Sequence, residues 1–424
     1  MLGKLIVASI LTGLISGFFI VFYELLITFM TYIIFLGDPF ETIPELPIWY
    51  LYTVPTLAIF CVNYLASKDN HIREYGINEI AESVSENKMI LTIKTLFFKI
   101  IASTLSLSSG FSVGTEGPSA GIGAMIAYQV HKLFQLPKML IKMMISLGAS
   151  AGVAAAFVSP LTGIAFAIEN IAYQFIKQYS TYLILASVIA FSVSINFLDP
   201  IPFYHSKGRE INNDYIIANL IFIPFITFFI YLYLFLKKRL LHFIDLKIFK
   251  TCHRYRNHIF ALIGGSVIGT ILLLEPQAAF SGKEIVMSLI NQENHISLIL
   301  IFTIVFLRII GTTVAIYSNA VGGVFLPLMS IGALVGFGFG ELISSLYAFN
   351  VEAFYFAAIG ASVFMGVIMN LPLTALVLAM ETTFDYNIIV ATGISVVLVA
   401  YFSSFHFNIR KQYVNKADKV ERRH

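Results

Sequence analysis

The sequence predicts an all-α, polytopic membrane protein built from two related halves, and three observations predict it. Composition is the first: 58% of residues are hydrophobic and 12% charged, with a mean hydropathy of +0.84, far outside the usage of soluble globular domains. The second is the length of the apolar runs, several of which reach the roughly 20 residues that a helix needs to cross about 30 Å of hydrocarbon. The third is a repeat. Gly148-Ala149-Ser150, Pro160-Leu161-Thr162 and Glu169 return as Gly360-Ala361-Ser362, Pro372-Leu373-Thr374 and Glu381, with eight of twenty-two positions identical at an offset of 212 residues. Duplication in so apolar a chain is the pattern of transport proteins whose two halves place a binding site between them near the bilayer midplane.

Uninterrupted apolar runs occur at about 5–35, 46–66, 90–109, 182–197, 215–236, 259–274, 296–317, 354–369 and 388–405. The first follows Lys4 as a signal peptide would, but it continues to about Phe35 without a small-residue cleavage pattern, so it reads as a retained helix. Residues 1–405 are expected to form a single transmembrane domain, with halves at about 1–200 and 201–405. Residues 406–424 then form a short basic cytoplasmic tail with no further folded domain. Around 110–126, 146–171 and 320–342 the runs are broken by Gly and Pro. Irregular backbone survives at membrane depth only where protein buries it or a cavity lines it, so these stretches are where function is expected.

Basic residues cluster at Lys237-Lys238-Arg239 through Arg256, and again from Arg410 to Arg423, which places both regions on the cytoplasmic side. A net charge of +3 gives nucleic acid no electrostatic footing. Cys61 and Cys252 have no metal-ligand spacing and are expected to be inert and buried. The histidines, among them His71, His205, His253 and His258, are assigned mostly to loops, and no cofactor or metal is expected. The motifs of zinc hydrolases and serine hydrolases are missing, which argues against an intramembrane enzyme.

The best functional candidate lies in Gly114-Thr115-Glu116-Gly117-Pro118. A glutamate between glycines in an apolar region is costly unless it is used, and the proline beside it suits the first turn of a helix. When the Glu116 side chain swings aside, unpaired backbone N–H groups at that helix start can face an anion. A capping carboxylate at a structural turn is the competing reading. Gly322-Gly323-Val324-Phe325-Leu326-Pro327 is the counterpart, with Gly114 and Pro118 matching Gly323 and Pro327 at a constant offset of 209. Two such starts brought face to face by an inverted repeat would surround one anion with backbone donors and no lysine or arginine, an arrangement that favours a replaceable ion. For the second motif, close helix packing through small residues is the alternative.

These residues, together with the Pro-Leu-Thr repeats, resemble those of the CLC family of chloride channels and proton/chloride antiporters, in order from roughly Gly76 to Glu381. The resemblance implies a homodimer with one anion pathway per subunit and a CLC-like antiparallel two-half fold of many tilted and broken helices. It also implies that Glu116 is the external gating and proton-carrying glutamate. Anion contacts are then assigned to Tyr75, Gly76, Ile77, Gly114, Gly117, Gly323, Val324 and Phe325, the last through its backbone amide. The family's late tyrosine is assigned to Tyr413, with Tyr401 as the rival.

Two departures from the family pattern bear on mechanism. Where the family carries Gly-Ser-Gly-Ile-Pro-Glu, this chain has Glu74-Tyr75-Gly76-Ile77-Asn78-Glu79, so a phenol replaces the anion-coordinating serine hydroxyl. Either the phenol donates to the anion or it points away and leaves the backbone N–H groups of the turn to serve. The inner proton-transfer glutamate aligns with Asn170, which cannot exchange a proton. Its neighbour Glu169 lies about 100° away around a helix and is either a substitute on the inner proton route or a structural carboxylate. The expected function is chloride/proton antiport in the inner (plasma) membrane. A gated anion channel and a fluoride-selective antiporter of the same fold are the alternatives.

Overall fold

The computed structural model describes residues 2–72, 77–172, 176–199, 213–244, 256–290, 297–347 and 351–406. The first half contains α1 (Leu2–Phe35), the short α2 (Pro39–Thr42), α3 (Ile48–Ala66), α4 (Ile77–Ser85), α5 (Ile93–Ser108), α6 (Glu116–Leu133), α7 (Ile141–Phe157), α8 (Pro160–Ala167) and α9 (Ile176–Ser194). The second contains α10 (Asn213–Ile244), α11 (Arg256–Leu274), α12 (Lys283–Ile290), α13 (Leu298–Tyr317), α14 (Phe325–Tyr347), α15 (Ala353–Met369), α16 (Pro372–Thr383) and α17 (Ile388–His406). Leaving out α2, each helix has a counterpart that starts 205 to 212 residues later, from 93 and 298 at the least to 141 and 353 at the most. Seven helical segments among the described residues are long and apolar enough to cross a membrane, and the protein is a multi-pass membrane protein.

The breaks fall where Gly and Pro interrupt the apolar runs. After Gly110 the chain leaves α5 and re-enters a helix only at Glu116, and after the Gly322-Gly323 pair it does so at Phe325. Pro160 and Pro372 open α8 and α16, where a missing N–H costs nothing. The preceding helices end in left-handed residues at equivalent positions, Val158 at φ 51° and Asn370 at φ 59°. Asparagine tolerates that conformation while a β-branched residue is strained in it, so the repeat conserves the turn at a cost to the first half.

Packing repeats as well. α6 lies along α7 and α14 along α15, and each pair meets glycine to glycine. A Cβ on Gly123 or Gly148 would overlap the carbonyl of the other, and the same holds for Gly332 and Gly360. Small residues let membrane helices approach closely enough for dispersion contacts to replace a missing hydrophobic drive. Cys61 departs from expectation, since it is exposed on α3. His258 is on α11 rather than in a loop, stacked on Phe60 at 5.6 Å. Gly148→Ala and Gly360→Ala are each expected to cost about 1–3 kcal/mol through overpacking, read as lowered thermal midpoints in detergent; unchanged midpoints would mean that these helices do not meet as described.

Candidate functional site

The two glycine-loosened turns meet at the centre of the fold. Gly114 and Gly323, equivalent in the repeat, pair through two backbone hydrogen bonds of 2.7 Å, N–H to C=O in each direction. This antiparallel bridge brings the starts of α6 and α14 together, the juxtaposition that an inverted repeat predicts. The Glu116 side chain crosses from one to the other. Its Oε1 accepts the backbone N–H of Phe325 at 2.5 Å, and the amides of Leu326 and of Glu116 itself lie close by. Glu116 is fully buried, and its Oε2 has no hydrogen-bond partner among the described residues. The carboxylate thus occupies the positive end of α14, the place where an anion would find unpaired N–H donors.

Both glycines are needed for this contact, because a Cβ on either would overlap the Glu116 carboxyl. The Phe325 ring is fully buried and packs on Phe157 at 4.5 Å and on Phe166 at 6.1 Å between centroids. The ends of α7 and α8 therefore fix the amide that Glu116 reaches. Gly117 sits in the first turn of α6, and Val324 immediately precedes α14. Ile77 begins α4, whereas Tyr75, Gly76 and Tyr413 lie outside the described residues. Tyr401 is 56% exposed on α17 and meets Phe402 edge to face, so the structure does not bring it to this centre.

Glu169 and Glu381 form a second, reciprocal constellation. Glu169 accepts from the amides of Leu373 at 2.7 Å and Thr374 at 2.8 Å and from the Thr374 hydroxyl at 2.6 Å. Glu381 accepts from the amides of Leu161 at 2.9 Å and Thr162 at 2.6 Å, from the Thr162 hydroxyl at 2.7 Å, and from Ser159. Each carboxylate therefore caps the other half's Pro-Leu-Thr helix start, and α8 and α16 lie antiparallel. The repeated Thr and Glu announce this pairing in sequence, though not which glutamate meets which helix. Asn170, one residue on, donates to the Phe166 carbonyl of its own helix at 3.3 Å.

A family model described as voltage gated chloride channel matches residues 54–404. Over 343 residues the chain is 28% identical to the H(+)/Cl(-) exchange transporter ClcA of Citrobacter koseri, covering 77% of this chain and 70% of that protein. Against the ClcA of Salmonella newport it is 29% identical over 343 residues, with coverage of 77% and 70%. A slow cyanobacterial Cl-/H+ antiporter superposes with a TM-score of 0.82 at 22% identity, covering 95% of this chain and 94% of that one. A CLC-type fluoride/proton antiporter does so with a TM-score of 0.74 at 19% identity, covering 94% and 95%. The solved structures share the fold. Glu169→Ala and Glu381→Ala are each expected to cost roughly 2 kcal/mol, as loss of a charged helix cap does, while Asn170→Ala leaves the thermal midpoint in place; a neutral Glu381→Ala would show that the cross-half caps carry no stability.

Proposed function

The chain belongs to the voltage gated chloride channel family, and from that premise we propose that it exchanges chloride, or a similar small anion, for protons across the membrane. The observation that supports this most directly is the Glu116 carboxylate seated on the Phe325 amide at the start of α14. Ionised, Glu116 competes with an anion for the same backbone donors. Protonated, it loses the charge that holds it there, and the anion takes its place. Proton and anion binding at this point are therefore linked, and by reciprocity each favours the other. Release of the proton to the side opposite the anion's destination turns that linkage into exchange.

The anion in this reading is held by the amides of Gly323, Val324 and Phe325 from one half and by the turns at Gly114, Gly117 and Ile77 from the other, with Tyr75, Gly76 and Tyr413 completing the path. Backbone dipoles without a paired cation hold it weakly enough to leave. The protein acts as a transporter rather than an enzyme, as a homodimer with one pathway per subunit, in a cell's plasma membrane. Asn170 favours a second reading, an anion channel gated by the same glutamate, since it cannot pass a proton inward.

Liposomes holding the purified protein under a chloride gradient, with external pH followed, separate the two readings. Uphill proton movement supports exchange, while fast chloride flux without a pH change supports a channel. Turnover is expected to rise as pH falls. Glu116→Gln is expected to abolish proton movement and flatten that pH dependence, and a variant that still pumps protons removes Glu116 from its role. Fluoride in place of chloride, in the wild type and in Tyr75→Ser, reads the selectivity: an unchanged preference in the variant means that the phenol does not line the path.

A further inference from the structure

The antiport reading, on which this inference rests, needs an inner proton route, and the two residues nearest the family position do not supply one. Asn170 has no ionisable group to carry a proton, and both oxygens of Glu169 are held by Leu373 and Thr374 in a helix cap. α5 carries another set of groups. Thr95, Lys99, Ser103 and Ser106 are all buried and, at spacings of four, four and three, share one face of the helix. Each meets a polar group from a different part of the chain. Thr95 donates to Asp69 at 2.5 Å. Lys99 donates to the His71 carbonyl at 2.9 Å and forms an ion pair with Glu79 in which neither side chain is accessible. Ser103 accepts the Tyr23 hydroxyl at 2.7 Å, and Ser106 accepts the amide of Val321, two residues before Gly323, at 3.0 Å.

The two ends of this file lie where a proton route needs them. α3 and α11 run antiparallel, with Tyr52 beside Thr270 at one end and Asn63 donating to the Asn257 carbonyl at the other. The Asp69–His71 turn that follows α3 is therefore at the Arg256 end of α11, the end that the basic residues of the sequence assign to the cytoplasm. At the far end, Tyr23 belongs to α1, which packs against α5 and against α6, the helix that Glu116 opens. α4, which carries Glu79, packs against α6, α7 and the Ile168–Ala172 turn, and so lies between Asn170 and the helix that Glu116 opens. Of the other titratable groups nearby, Glu169 is engaged with α16, His131 with the Pro137 carbonyl at 3.1 Å and Lys132 over the Tyr128 ring, while Glu82 is half-buried on α4 and Glu24 follows Tyr23 on α1. Glu79 keeps a buried oxygen, Oε2, with no hydrogen-bond partner among the described residues.

We propose that Glu79, with Lys99 and the hydroxyls of Ser103 and Tyr23, forms the inner proton route to Glu116 in place of Asn170. A proton entering at His71 and Asp69 bonds to the free Glu79 oxygen, leaving a neutral acid beside the Lys99 ammonium. The acid O–H then breaks, restoring the carboxylate, and through a water the proton reaches Ser103, which lies one helical turn, a rise of roughly 6 Å, beyond Lys99 on α5. Tyr23 gives its own proton to Glu116 and takes one from Ser103, so every O–H formed is matched by one broken.

The test is the number of protons moved per chloride in liposomes. Glu79→Gln is expected to lower that ratio about a hundredfold, the low end of what a positioned proton-transfer group contributes, and Tyr23→Phe to lower it too. Glu79→Gln/Lys99→Gln removes both charges together, so that no lone buried ion unfolds the protein, and is expected to behave alike. A merely structural ion pair would reduce both fluxes together and keep the ratio. A wild-type ratio in the double variant, or in Tyr23→Phe where that variant alone is stable, overturns the route. If Glu116→Gln is uncoupled while the Glu79 variants stay coupled, this inference falls alone; a wild-type protein that moves chloride without protons overturns the antiport reading and this route with it.

Discussion

One contact organises this molecule: a carboxylate from the first half resting on a backbone amide of the second, Glu116 on Phe325 at 2.5 Å. Burying a charge in apolar protein is expensive unless donors replace the water it loses. Here the donors are main-chain N–H groups at a helix start, which belong to the fold and cannot be withdrawn. Everything around the contact holds those donors in place. The Gly114–Gly323 bridge sets the approach of the two turns, Phe157 and Phe166 fix the Phe325 ring, and the absence of side chains at both glycines leaves room for the carboxyl.

The duplicated fold supplies the geometry twice, but the side chains have diverged in ways that separate the two roles. The helix starts correspond as Glu116 and Phe325, so one half contributes the carboxylate and the other only a backbone donor. Lys99 and Arg308 occupy equivalent positions on α5 and α13, and both are fully buried. Lys99 pairs with a carboxylate. Arg308 instead donates to the carbonyls of Ala279 at 2.9 Å and Ser281 at 2.8 Å and to the Ser330 hydroxyl at 2.9 Å. Among the described residues, the second half thus hydrogen-bonds its buried cation to fixed dipoles, whereas the first half sets a carboxylate in direct contact with it. Where the halves have stayed alike, at Glu169 and Glu381, the shared task is capping a helix, which needs the same groups on both sides.

Much of this was legible in the sequence, because the signals were local or repeated. Composition and run length gave the membrane class, the constant offset of 209 aligned Glu116 with the Gly323–Phe325 turn, and Gly and Pro marked the breaks. What could not be read were pairings between elements with no repeat to announce them. Nothing in the spacing of Glu79 and Lys99, twenty residues apart on different helices, shows that they form a buried pair. Glu169 carried two readings in sequence, and only its bonds to Leu373 and Thr374 distinguish a helix cap from a free acid. The exposed side of Cys61 was equally invisible, since apolar neighbours look the same whether they face lipid or protein.

The same physics sets what kind of ion the centre can handle. A lysine or arginine beside the anion would bind it through a full charge, and departure would then require breaking a strong, desolvated pair. The buried lysine and arginine among the described residues are kept from that role: Lys99 is committed to Glu79 and His71, and Arg308 to carbonyls and Ser330. Partial charges at two helix starts are what the centre offers instead, and in the proposed exchange their attraction is small enough for one side chain, changing its protonation state, to outcompete or yield to a passing anion. A site built on a fixed cation would bind more tightly and turn over more slowly. On the proposed reading, the matched weakness of carboxylate and anion for the same amides is therefore the property that lets one replace the other.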